Sequence, residues 1–101
     1  MDNNTTNNQQ TAAPASPNEA TIALDRLLAD ARARHESGEI TVAEEWVKVG
    51  RSYCRVAVVI SDYGTHIEVG SRRGSDSQIT WTFREEDLAK ARAMLVEYEN
   101  I

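Results

Sequence analysis

Two histidines, one cysteine and sixteen carboxylates are what this 101-residue chain offers for acid–base, nucleophilic or metal chemistry. A thiol nucleophile needs an exposed, electropositive setting with a base in reach. Cys54 alternates with Tyr53 and Arg55 in a run of period two, on the side of Val56, Val58 and Ile60, while His66 falls on the other side. That places the thiol in a core and away from its base. Zinc needs Cys and His at short paired spacings, and His35, Cys54, Asp62 and His66 have none. His35 sits late in a helical pattern, where its charge suits the end of the helix dipole. Gly70 and Gly74 flank Arg72-Arg73, but no strand-to-helix glycine loop follows, and the acidic run Glu85-Glu86-Asp87 repels phosphate. Glu44-Glu45 is likewise a charge run without a histidine, the pattern of a solvated face. No catalytic constellation emerges. The expectation is a non-enzymatic protein with no cofactor and no metal.

Binding residues are more evident. From Lys48 to Arg73 there are five cations (Lys48, Arg51, Arg55, Arg72, Arg73) and two anions (Asp62, Glu68), a balance of +3. From Arg84 to Ile101 three cations meet five anions. The whole chain carries −5, which argues against a dedicated duplex nucleic-acid binder. A locally basic stretch with aromatic residues suits single-stranded bases and phosphates. The alternative is that Arg51, Arg72 and Arg73 are turn residues kept in water.

The elements that position these residues follow from periodicity. Ser16, Pro17 and Glu19 combine an N-cap, a first-turn proline and a capping box. Leu24, Leu27, Leu28, Ala31 and His35 follow at helical spacing, and Gly38 suits a left-handed cap, so a helix is expected over Pro17–Ser37. The Asp30–Arg34 pair supports it. From Glu39 to Phe83 the period is two. Turns are expected at Gly50-Arg51, Asp62-Tyr63-Gly64 and Arg72–Asp76, which gives four strands in an antiparallel meander. Ile40–Glu45 fits either an extension of the first strand or a helical turn. A final helix carries Leu88, Ala91, Leu95 and Tyr98 on one stripe, with Met94 beside it. Thr82–Glu85 reads as its capping box and Glu86–Lys90 as an i,i+4 pair.

The fold expected is α+β, in the order α-β-β-β-β-α, with both helices packed on one sheet face. That face would hold Val47, Val49, Cys54, Val56, Val58, Ile60, Ile67, Val69, Ile79, Trp81 and Phe83, with Trp81 buried. The other face would carry Trp46, Lys48, Tyr53, Arg55, Ala57, Val59, His66, Glu68 and Thr80. Aromatic residues and arginine are enriched in interfaces. The candidate binding residues are therefore Trp46, Lys48, Tyr53, Arg55, His66, Arg72 and Arg73. An ordinary half-exposed face is the plainer reading.

Residues 1–15, MDNNTTNNQQTAAPA, hold one charge and no branched aliphatic or aromatic residue, so they are expected to be a disordered tail. Residues 16–101 then form a single domain. No run approaches a membrane span, no signal peptide is evident at the start, and a lone cysteine fits a reducing compartment, so a cytoplasmic location is expected. The element order of meander and C-terminal helix is similar to that of single-strand-binding transcription coactivators and type III secretion chaperones. The likeness is architectural and carries no function. The function expected is a small acidic protein-binding protein of inhibitor, adaptor or chaperone type. A phage-type inhibitor of a host nucleic-acid enzyme belongs to that class. Its partner would be another protein, or a second copy in a homodimer, on the open face. The alternative is a single-stranded nucleic-acid binder using the same face.

Overall fold

The computed structural model describes residues 18–72 and 79–99. Helix α1 spans Glu19–Arg34. Its cap is Asn18, not Ser16. The Asn18 carboxamide oxygen accepts from the Thr21 N–H at 2.9 Å, and the Thr21 hydroxyl accepts from the Asn18 N–H at 2.9 Å. This is a capping box with threonine in the reciprocal role. Ser16, Pro17 and the expected tail lie outside the described residues. The helix stops three residues earlier than Ser37, with His35 as an extended C-cap. Gly38 does adopt φ +88, but it belongs to the turn beyond the helix. Its N–H donates to both Asp62 carboxylate oxygens, at 2.8 and 3.1 Å.

Strands β1 (Thr41–Val49), β2 (Ser52–Ser61), β3 (Gly64–Arg72) and β4 (Ile79–Arg84) form one antiparallel sheet in the order β1-β2-β3-β4. Thr41 onward is strand, which settles the ambiguous stretch from Ile40 to Glu45. The β1–β2 turn needs the positive φ of Gly50, +58, as two-residue hairpin turns do. The third expected turn falls largely on residues 73–78, outside the described residues.

The register pairs Val47 with Cys54, Val58 with Ile67 and Val56 with Val69, so these side chains share one face. Both helices pack on that face, as the two-layer α+β reading requires. Helix α1 lies over β1 and β2 and buries Ala20, Ala23, Leu24, Leu27, Leu28 and Ala31. Helix α2 (Leu88–Tyr98) follows a 3-10 turn, Glu85–Asp87, and buries Ala91, Leu95 and Tyr98. The expected capping box at Thr82 does not form, because Thr82 lies inside β4 and neither Arg84 nor Asp87 caps with its side chain. Lys90 pairs with Asp87, at 3.6 Å, and not with Glu86. The acidic residues still open the helical segment, where the dipole favours them.

The two helices are tied together. Asn18 donates from its Nδ2 to the Leu95 carbonyl at 3.0 Å, and Arg92 pairs with Asp25. Helix α2 leaves the Arg84 end of β4 and ends beside the β1–β2 turn. A Cβ on Gly50 would stand 3.1 Å from the Glu99 carbonyl oxygen. This diagonal path corrects one expectation. Trp81 pairs with Val69 and so sits on the helix-bearing face, yet it is 51% exposed, and Ile79 beside it is 60% exposed. The helix shields Phe83, near its own start, and turns away before it reaches Trp81.

Candidate functional site

The open sheet face is built by the same register. Four cross-strand rows run across it. Val42, Val59, His66 and Arg84 form the first; Glu44, Ala57, Glu68 and Thr82 the second. Trp46, Arg55, Gly70 and Thr80 form the third; Lys48, Tyr53 and Arg72 the fourth. Six of the expected binding residues, Trp46, Lys48, Tyr53, Arg55, His66 and Arg72, are thus on one face. Arg73 lies outside the described residues.

The six do not act as one patch. Arg55 is only 19% exposed at its side chain and is held between two carboxylates. Its Nη1 donates to Glu68 Oε1 at 2.8 Å, and its Nε donates to Glu44. Glu44 and Glu68 flank Ala57 in the register, so the guanidinium bridging them closes over Ala57, which is fully buried on a face that no helix covers. His66 Nε2 stands 3.4 Å from Glu68 Oε2 and extends the network. The hydrogen bond from Arg55 holds the Glu68 carboxyl below its ordinary range, against the opposing effect of burial. The same bond to Glu68, with Glu44 adding, strengthens the protonation of Arg55. Arg55 is therefore neutralised and structural, and with two carboxylates on one guanidinium the middle of the face offers no free cation.

The end nearest the Gly50 turn differs. Trp46 is 44% exposed and Tyr53 is 50% exposed. Lys48 Nζ lies 5.9 Å from the centroid of the Tyr53 ring, within cation–π range. Arg72 is the register neighbour of Tyr53 on its other side, and Arg51 occupies the turn. Among the described residues, Lys48, Arg51 and Arg72 have no carboxylate partner, and neither has Arg84 at the far end of the face, in contrast to Arg26, Arg32, Arg34, Arg55, Lys90 and Arg92. An open groove of about 620 Å³ borders this end on the side of α1, where Glu19 and Glu99 line it together with Asn18, Ile22, Lys48 and Gly50. Among the described residues, the arrangement presents two aromatic rings and three cations without a carboxylate partner. It suits binding of an anionic, partly apolar surface.

Two features lay beyond the sequence reading. Glu44 joins the open face as a partner of Arg55, and a strict count back from the Gly50-Arg51 turn places it there. Arg51 joins the cationic end because its turn lies beside the last row.

Chemistry elsewhere stays quiet. Cys54 is fully buried, and burial pushes its thiol up to about 11. His35 Nδ1 is 3.1 Å from the Thr41 hydroxyl, and its Nε2 is 3.8 Å from Asp62. This places it in a loop tie between α1 and the β2–β3 turn. Among the described residues no three of His, Cys, Asp and Glu gather as a metal site, and no helix is long and apolar enough to cross a membrane. Comparison of the chain with family models, curated proteins and solved structures returns no match.

Proposed function

We propose that this chain is a non-catalytic, cytoplasmic protein-binding protein of inhibitor, adaptor or chaperone type. It engages an acidic, aromatic-accepting segment of its partner with the Gly50 end of the open face. The observation that carries the reading is the contrast within that face. Trp46 and Tyr53 stand half exposed among Lys48, Arg51 and Arg72, which lack carboxylate partners among the described residues, while Arg55 is neutralised. Trp, Tyr and Arg are the residues that most often dominate binding energy. Uncompensated cations in a chain of net charge −5 favour one orientation of approach, with an acidic partner surface meeting this end first.

The test is co-purification with the wild-type chain and with a Trp46→Ala/Tyr53→Ala double variant, followed by titration of the captured partner. Loss of affinity by about 30-fold or more in the double variant supports the reading. Equal capture by both proteins overturns it. The same cations beside aromatic rings favour a second reading, single-stranded nucleic acid. Three phosphate contacts would give a log–log salt slope near about −2 on an oligonucleotide, which separates the two.

A further inference from the structure

Strand β1 has a neighbour on one side alone, and the register says which of its backbone groups are left over. Val49 and Ser52 close the hairpin over a two-residue turn and so form a hydrogen-bonded pair. Alternation back along the strand turns the N–H and C=O of Val47, Glu45 and Ala43 toward β2. It turns those of Lys48, Trp46, Glu44 and Val42 outward. At the far end the Arg34 guanidinium lies 3.5 Å from the Val42 carbonyl. Among the described residues nothing bonds the outward backbone groups of Glu44, Trp46 and Lys48. Charges commonly blunt such an edge. Here both are drawn across the sheet instead, Glu44 to Arg55 and Lys48 to the Tyr53 ring. Trp46 stands between them, 44% exposed.

We infer that β1 is a self-association edge, and that two copies of the chain pair antiparallel along it about a two-fold axis at Trp46. In that register Glu44 faces the second copy's Lys48, Lys48 faces the second copy's Glu44, and the two Trp46 rings are neighbours on the open face. Charge order selects both the register and the occupant. An axis at Glu44 or at Glu45 would oppose like carboxylates, and an axis at Lys48 would oppose two ammonium groups. An axis at Val47 would leave Glu44 opposite Gly50, with no cation to meet. The edge reads Glu-x-Trp-x-Lys, a charge pattern complementary to its own reverse. The contact is also neutral, although each chain carries −5, because Lys48 and Arg26 balance Glu44 and Glu45. Arg55 holds Glu44 at Oε2, which leaves Oε1 for the incoming lysine. Directly opposed side chains stand about 5 Å apart at Cβ, close enough for an ion pair and an aromatic pair. The three residue pairs exchange about six backbone hydrogen bonds. So short an edge buries well under the usual 800 Å² or so per copy, which makes the dimer weak and concentration-dependent. Lys48 gains a carboxylate in it, while Arg51, Tyr53 and Arg72 of both copies stay uncovered for the partner proposed above.

Sedimentation of the full chain from about 10 μM to about 1 mM tests this, since that range spans weak association. A monomer–dimer equilibrium is expected. Lys48→Glu sets like charges against each other at both ends of the contact and should weaken the dimer by about 10-fold or more. Trp46→Pro removes an N–H that points away from β2, together with the ring, and should abolish pairing. Circular dichroism checks that both fold, and if the proline variant does not, Lys48→Glu decides alone. Trp81→Lys, on the opposite edge, and Tyr53→Ala, on the open face, should leave the equilibrium unchanged. A wild-type chain that stays monomeric to about 1 mM overturns the inference. So does a dimer that keeps its affinity in a folded β1 variant. Loss of the dimer in Trp81→Lys or Tyr53→Ala would place the contact elsewhere and overturns it as well. None of these readouts involves the acidic partner, so the outcome is independent of that reading.

Discussion

Arg55 and Glu68 face each other diagonally across β2 and β3, and their 2.8 Å hydrogen bond converts a candidate binding cation into the keystone of the open face. Glu44 holds the guanidinium from the other side. Removing the arginine would leave Glu68 half-buried without its main partner and uncover Ala57. Arg55→Ala is therefore expected to destabilise the fold by about 1–3 kcal/mol, measured by urea unfolding. Arg72→Ala, at an exposed site, should change stability by less than about 0.5 kcal/mol.

The same bond sets an acid limb. The Glu68 carboxyl is held below its ordinary 4.5 in the folded chain, with Arg55 the main cause. The folded state thus binds fewer protons than the unfolded state around that pH. Its contribution is present above about pH 4.5 and is lost as pH falls through the lowered folded value. Glu68→Gln should flatten the decline in unfolding free energy below pH 5 or so, while leaving the slope at neutral pH unchanged. An unaltered acid limb would show that Glu68 is not a principal titrating group.

Cys54 should be inert in the native state. Its thiol is buried and raised to about 11 from 9.0. Alkylation at pH 8 is expected to proceed only through unfolding, so its rate should rise in step with the unfolded population in urea. The sign at alkaline pH follows. The raised thiol stabilises the fold fully below pH 9.0, and that contribution is lost as pH climbs toward 11. Cys54→Ser should lessen the loss.

Trp81 and Leu24 make a contrast in packing. Leu24 is fully buried, and Leu24→Ala should cost about 2–5 kcal/mol. Trp81 is half exposed, so Trp81→Ala should cost about 1–2 kcal/mol in dilute solution, less than the 3–5 of a buried aromatic. Thermal midpoints at low protein concentration measure both.

Asn18 makes a cap and a tether at once. It caps α1 through the Thr21 N–H and donates to the Leu95 carbonyl of α2. An ordinary cap contributes about 1 kcal/mol. Asn18→Ala should therefore cost about 1–2 kcal/mol, and Asn18→Asp, which keeps the acceptor but loses the donor, should recover only part of it.

Element order and facing were legible because alternation records which side of a strand each residue takes. Trp46, Lys48, Tyr53 and Arg55 were placed on the open face on that ground, and the register agrees. Alternation does not record how far a covering helix extends. Trp81 shares the face of Val69, but its burial depended on the path of α2, which no local pattern encodes. Arg55 shows a related limit. Its partners come from two other strands, so its charge state is a property of the register. The cap of α1 turned on a closer contest. Ser16 and Asn18 are both good caps, and Thr21 decides for Asn18 by returning its hydrogen bond.

The link between Asn18 and Leu95 spans 77 residues of sequence. The β1–β2 and β2–β3 hairpins each close over a two-residue turn. Closing a long loop costs more chain entropy than closing a short one, and it pays back only when the surfaces at its ends already exist. Assembly is thus expected to run from the first hairpins outward, with the two helices docking last and together. The reverse path holds for opening. A fluctuation that frees one helix also strips the cap or the tether from the other, so the layer lifts as a unit. Native-state hydrogen exchange should then show α1 and α2 sharing one opening free energy, below that of β2 at the centre of the sheet.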